Sequence, residues 1–159
     1  MHSRIFQITT EYVQKEEYIS ESDFWEHWFV GNIADYVSDD VDRAEEILNL
    51  RQYFESMKVA EFSEDNSFKL LTDGKVKYFK TEFKRFSESV KKAADVNLEE
   101  FASGAKCEDL VFNIKSSYCD KFGWYVSSEE FGTIPMDEFI RSAEPGKRYY
   151  IGGVLDYHW

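Results

Sequence analysis

The sequence predicts an α+β fold, a single domain over 1–159 in which a mostly antiparallel sheet of about five or six strands packs with four to six helices. Three observations lead there. Apolar residues recur with period two in some stretches and at steps of three and four in others, in no strict alternation. The links between these stretches are short, which favours antiparallel pairing. The chain of 159 residues is 43% hydrophobic and 18% aromatic, enough to build one core from rings without a disulfide staple.

"SRIFQITT" reads as a first strand and 10–20 as a polar loop. Ser20 or Ser22 then caps a short helix carrying Phe24, Trp25, Trp28 and Phe29, with Gly31 as its stop. From Asn32, the residues Ile33, Val37, Val41, Ala44 and Leu48 hold helical spacing. Ser38-Asp39-Asp40 leaves open whether this is one helix or two, since those side chains favour caps over interiors.

"MKVAEFS" and "SFKLLT-DG-KVKYF" read as strands, with Asp73-Gly74 as a hairpin turn. An amphipathic helix follows, its apolar residues Phe79, Phe83, Phe86, Val90 and Ala94 interleaved with Lys80, Lys84, Arg85, Lys91 and Lys92. Asn97 and Glu100 stand at capping-box spacing before a short helix ending at Gly104, and 105–119 reads as a further helix. "KFGWYVS" is a strand, "PMDEFIRSA" a helix opened by Pro135, and "KRYYIGGVLDYHW" a last strand bulged at its glycine pair.

Charge narrows the functional classes. The net charge is −12, and residues 1–66 alone hold 5 basic and 16 acidic groups. Direct binding of nucleic acid or an anionic membrane draws on Lys and Arg, so neither is expected and a basic protein is the natural complement. No apolar run approaches the roughly 20 residues of a membrane helix, and the N-terminus lacks a signal-peptide core. With Cys107 and Cys119 twelve apart and outside any redox motif, a cytoplasmic location is expected.

Catalytic signatures are absent: the sequence has no phosphate-binding glycine loop, HExxH, GxSxG or EF-hand loop. His2 is given no role at a fraying terminus. His27, four residues after Asp23, lacks the companions a zinc site needs. Asp156 and His158 share one face of the last strand, with Leu155, Tyr157 and Trp159 on the other, a pair too common to define chemistry. The chain is therefore read as non-enzymatic, without catalytic, cofactor or metal residues. Its candidate partner-binding surface is a helical stripe of Asp35, Asp39, Asp42 and Glu46, widened by Asp40 and Glu45. Trp25 and Trp28 stand beside it, read mostly as core with one edge open as a partner anchor.

"SRIFQI", "FVGNIADYV", "KFGWYV" and "YYIGGVLDYHW" together resemble, over nearly the whole chain, a group of small acidic bacterial proteins often encoded on mobile elements or phages. The resemblance implies no activity, cofactor or catalytic residue. It implies a setting in which acidic proteins block defence nucleases by occupying their DNA sites, although the chain departs from the pattern of antirestriction proteins. Three functions follow as expectations. The first is an acidic protein binding a basic, nucleic-acid-binding protein, as a DNA mimic or an immunity protein. The second is a small enzyme or ligand-binding module assembled only in three dimensions, drawing on His27, Asp156, Tyr157 and His158. The third is a homo-oligomer in which helix 79–94 meets the acidic stripe of another copy.

Overall fold

A computed structural model describes residues 1–159, the side chain of Ala105 excepted. The first strand, β1 (His2–Thr9), buries Ile5, Phe6, Gln7 and Ile8 in succession, which requires cover on both faces. It is followed by 3₁₀ turns at Lys15–Glu17 and Glu21–Phe24, β2 (Tyr36–Ser38), α1 (Arg43–Ser56), β3 (Ala60–Phe62) and β4 (Ser67–Leu70). Helices α2 (Gly74–Tyr78), α3 (Lys80–Ala94), α4 (Leu98–Ser103) and α5 (Ala105–Tyr118) form an excursion from the sheet. The chain returns through β5 (Tyr125–Ser128), β6 (Gly132–Pro135), α6 (Met136–Ser142) and β7 (Arg148–His158).

The strands join in the order β3-β4-β7-β1-β5-β6, with β2 also on β7. Only β1 and β5 run parallel, so the sheet is mostly antiparallel as expected, with seven strands. The eleven-residue β7 is its spine: β1 lines one edge, while β4 and β2 take the two ends of the other. Arg43 closes the gap between those ends, donating from Nε to Gly152 O at 2.6 Å and from a terminal nitrogen to Ile151 O at 2.9 Å. Otherwise-unpaired edge carbonyls are thereby satisfied.

One face of the sheet carries Phe6, Ile8, Val126, Tyr149 and Val154 against Ile47, Leu50 and Phe54 of α1 and Met136, Phe139 and Ile140 of α6. The opposite face carries Ile5, Tyr125, Leu155 and Tyr157 against Phe24, Phe29 and Ala34 from the irregular segment before β2. Between the faces, the expected irregularity at Gly152-Gly153 is a bulge, with register shifting between Phe6 and Ile8. Gln7 occupies it. Its Oε1 accepts from Ile19 N at 3.1 Å and Gly153 N at 2.8 Å, while Nε2 donates to Glu17 O at 3.0 Å. A Cβ on Gly152 would stand 2.3 Å from that Oε1, which is why glycine lies there. Gln7→Leu strands these buried backbone groups and is expected to cost roughly 2–4 kcal/mol in urea unfolding.

Four expectations need correction. "KVKYF" is α2 and not a strand: Gly74 opens a helical turn against Val59, whose carbonyl oxygen would lie 2.1 Å from a Cβ at that position. The hairpin turn is instead 63–66, where Asn66 takes a φ of 57° and Asp65 Oδ1 accepts from Ser67 N and Oγ at 3.1 and 2.5 Å. Residues 24–29 do not complete a helix, for after Glu21–Phe24 the backbone passes through turns to Gly31, with φ 85°. Finally, 32–41 is not helical: Tyr36–Ser38 adds a short edge strand to β7, and the helix begins only after Asp42.

Helices α3, α4, α5 and α6 form where the spacing places them. Asn97 and Glu100 cap α4 reciprocally, Oδ1 of Asn97 accepting from Glu100 N at 3.0 Å. Among the described residues, no helix is long and apolar enough to cross a membrane.

Candidate protein-binding site

The four carboxylates expected to form one helical line, Asp35, Asp39, Asp42 and Glu46, are dispersed by the strand at 36–38, as are Asp40 and Glu45 beside them. Asp35 Oδ2 lies 3.1 Å from His158 Nδ1. Asp39 Oδ1 accepts from Glu21 N at 2.8 Å, tying the 3₁₀ turn to the β2 exit. Asp42 is the N-cap of α1, its Oδ1 accepting from Ala44 N at 3.0 Å and Glu45 N at 3.1 Å. Glu46 points at the sheet and meets the Arg4 guanidinium at 2.8 Å. Asp40 and Glu45 stay exposed.

Glu46 therefore belongs to a polar knot at the end of the β1–β7 pair. Arg4 bridges Glu46 and Asp156, and Asp156 Oδ2 also takes His2 Nδ1 at 2.7 Å. His2 lies opposite His158 in the sheet, and the two rings meet edge to face at 5.1 Å. The terminal residue expected to fray is thus held in β1. His158 is further stacked on Tyr36, rings 5.3 Å apart and 6° from parallel. Each of these side chains meets another, with only the buried Arg4 Nε left without a partner among the described residues, which suits a structural clasp for the sheet.

The aromatic pair stands the other way from its expectation. Phe24 and Phe29 supply the core, while Trp25 is 73% and Trp28 52% exposed. The chain turns at 25–28, so consecutive rings splay to opposite sides. His27 lies between them: its ring packs on Phe24 at 5.0 Å and Trp28 at 5.6 Å, and its Nδ1 accepts from Phe29 N at 3.2 Å. Burial lowers its pKa below the ordinary histidine value, and the Phe29 bond needs the same unprotonated nitrogen.

His27 is on the wall of a cleft of about 970 Å³ between the 9–24 segment and the β5–β6 turn. Glu11, Glu16, Glu17, Asp23, Glu129 and Glu130 line it, with Tyr12 and Tyr18, and no Lys or Arg does. Three of these acids hold the walls: Glu17 caps Gln14 N, Asp23 caps Ser20 N, and Glu130 accepts from Thr10 N at 3.0 Å and Thr10 Oγ1 at 2.9 Å. Among the described residues, the side chains of Glu11, Glu16 and Glu129 make no such bond and are free to face a ligand. Residues over a hundred positions apart meet here, while Trp28 stands outside the lining and touches it through the His27 ring.

A second cleft, about 630 Å³, separates the α3–α5 excursion from the sheet and is lined by Tyr53, Tyr78, Phe112, Trp124, Glu82 and Asp137 among others. Tyr78 donates to Asp137 Oδ1 at 3.0 Å, and burial, with the Asp137 charge, pushes its phenol well up. Burial likewise pushes the nearby Cys119 thiol up to about 11, with Asp137 and Glu138 adding to it. Cys119 is therefore expected to resist alkylation at pH 8 in the folded protein and to react once unfolded, read by mass spectrometry. Among the described residues, no group of His, Cys, Asp and Glu gathers in a metal-binding arrangement. Compared with protein-family models, curated proteins and solved structures, the chain matches none.

Proposed function

We propose that the chain is a non-enzymatic acidic interaction protein, acting in the cytoplasm, that holds a basic, nucleic-acid-binding protein in the cleft between 9–24 and the β5–β6 turn. The observation that carries this reading is a concave surface of about 970 Å³ lined by six carboxylates, by no Lys or Arg, and by the exposed ring of Tyr12. Cationic side chains entering such a cleft gain from summed charge, and an aromatic face supplies a cation–π site. The immunity-protein version is favoured over the DNA mimic. A mimic needs carboxylates in a regular convex row, and the Asp35–Glu46 line is broken by β2. Asp35, Asp39, Asp40, Asp42 and Glu45 lie outside the cleft lining and add to the negative field of the whole molecule, which steers approach more than it holds the partner.

An arginine-rich peptide serves as the probe. Titrated at low salt, it should change Trp28 fluorescence and bind more weakly as salt rises. Binding that ignores salt would count against the cleft.

The second cleft favours one other reading, a small-ligand module, because Tyr53, Tyr78 and Trp124 present ring surface beside Asp137 and Glu82. A ligand in that cleft should raise the thermal midpoint of the wild type and not of a Trp124→Ala variant that still folds.

A further inference from the structure

Helices α3 and α5 make an arm whose apolar seams are covered on one side only. From the N-cap Phe79 into α3, Phe79, Phe83, Phe86 and Val90 follow steps of 4, 3 and 4, and in α5, Cys107, Val111, Ile114 and Tyr118 follow the same steps. This is the seam spacing of helices that pack along their length. The two seams meet at Phe86 and Tyr118, rings 6.4 Å apart. Their outer sides are bare at Phe83, Val90 and Val111, which are 68%, 41% and 49% exposed, while Arg141 lies over the Tyr118 ring at 4.2 Å. At the tip, Leu98 and Phe101 of α4 add a further exposed pair. Among the described side chains of α3, α4 and α5, only the small polar Ser117 is buried. Two helices of 15 and 14 residues gain little stability without a buried face.

We propose that a second copy of this chain completes the arm, two arms packing about a two-fold axis as a four-helix bundle with α3 of each copy against α5 of the other. Charge selects this occupant and this pairing. Helix α3 carries five basic groups and two acidic, net +3, whereas 95–118 carries two basic and five acidic, net −3. A two-fold axis that crosses the helices sets positive against negative twice, and pairing α3 with α3 would oppose like charges. Outside 74–118 the chain holds 10 basic and 24 acidic groups, so two copies meeting through surfaces outside the arm set net negative against net negative. Helices about 22 Å long suffice to bury roughly 800 Å² per copy, the size of a stable interface. This association is separate from the acidic cleft and does not depend on its role.

Sedimentation of the full chain over a wide concentration series tests it. A dimer is expected, and Phe83→Ser with Val111→Ser should raise its Kd by about a hundredfold. Two charge-reversed variants, Lys84→Glu/Lys91→Glu and Glu99→Lys/Glu108→Lys, should each be monomeric alone and form a mixed dimer when combined. A monomer at every concentration, or two variants that ignore each other, overturns the proposal. So does a mass that keeps growing with concentration, the mark of α3 seating in the acidic cleft of the next copy.

Discussion

Arg4→Met is expected to lower the stability of the fold by about 3 kcal/mol at neutral pH, a loss of roughly 6–12 °C in the thermal midpoint. Arg4 stands between Glu46 on α1 and Asp156 on β7, and the exposures of the three side chains are 25%, 16% and 12%. Methionine keeps the stem packed and removes the charge, leaving two carboxylates on a largely covered face with His2 alone beside them. The loss thus reports stranded charge and not lost packing. Adding Glu46→Gln and Asp156→Asn should recover part of it, since neutral amides tolerate the same place better than unpaired anions. Full additivity of the three changes would show that the knot is not coupled.

Gly74→Ala is expected to cost about 3 kcal/mol, far more than an ordinary glycine-to-alanine change. The new Cβ would lie 2.1 Å from Val59 O and 3.1 Å from Val59 C, both backbone atoms that cannot rotate away. Movement there would pull on Leu71 N, which donates to Val59 O at 3.0 Å and anchors the start of α2 beside β3. Gly31→Ala makes the informative contrast. Nothing lies within 4 Å of a Cβ there, so only its φ of 85° resists, at about 1–2 kcal/mol. Equal losses at the two positions, measured by chemical unfolding, would contradict the close approach of α2 to Val59.

These two positions also show what was legible in the sequence. Asp73-Gly74 has the composition of a hairpin turn, but the glycine answers to Val59, a contact no local pattern contains. Helices α3 to α6 were legible because each carries its own signal: a 3–4 spacing, the Asn97–Glu100 box, or Pro135 before α6. The segment 32–42 misled because steps of four between Ile33, Val37 and Val41 also suit an edge strand followed by a turn. Val37 opposite Tyr157 on β7 decides between them. Strand β6 went unseen since "GTIP" has no length of its own and exists by pairing with β5.

The candidate site divides in the same way. That acidity concentrates in the first 66 residues was readable. That Trp25 and Trp28 face solvent while Phe24 and Phe29 do not was hidden, because a helix was assumed where the chain turns at 25–28. The cleft itself had no sequence signal. Its acids come from 11–23 and 129–130, and only the parallel pairing of β1 with β5 brings them together.

The most direct test of the cleft compares two triple variants of equal charge. In the first, Glu11, Glu16 and Glu129 become Gln, removing carboxylates that face the cleft without holding its walls. In the second, Glu55, Glu61 and Glu64 become Gln on a different part of the surface, around α1 and β3. Isothermal titration of each with the arginine-rich peptide at low salt should show at least about tenfold weaker binding for the cleft variant, with the distant variant within about twofold of wild type. Equal weakening in both would mean that net charge alone attracts the probe, and the claim that this cleft is the binding site would be contradicted.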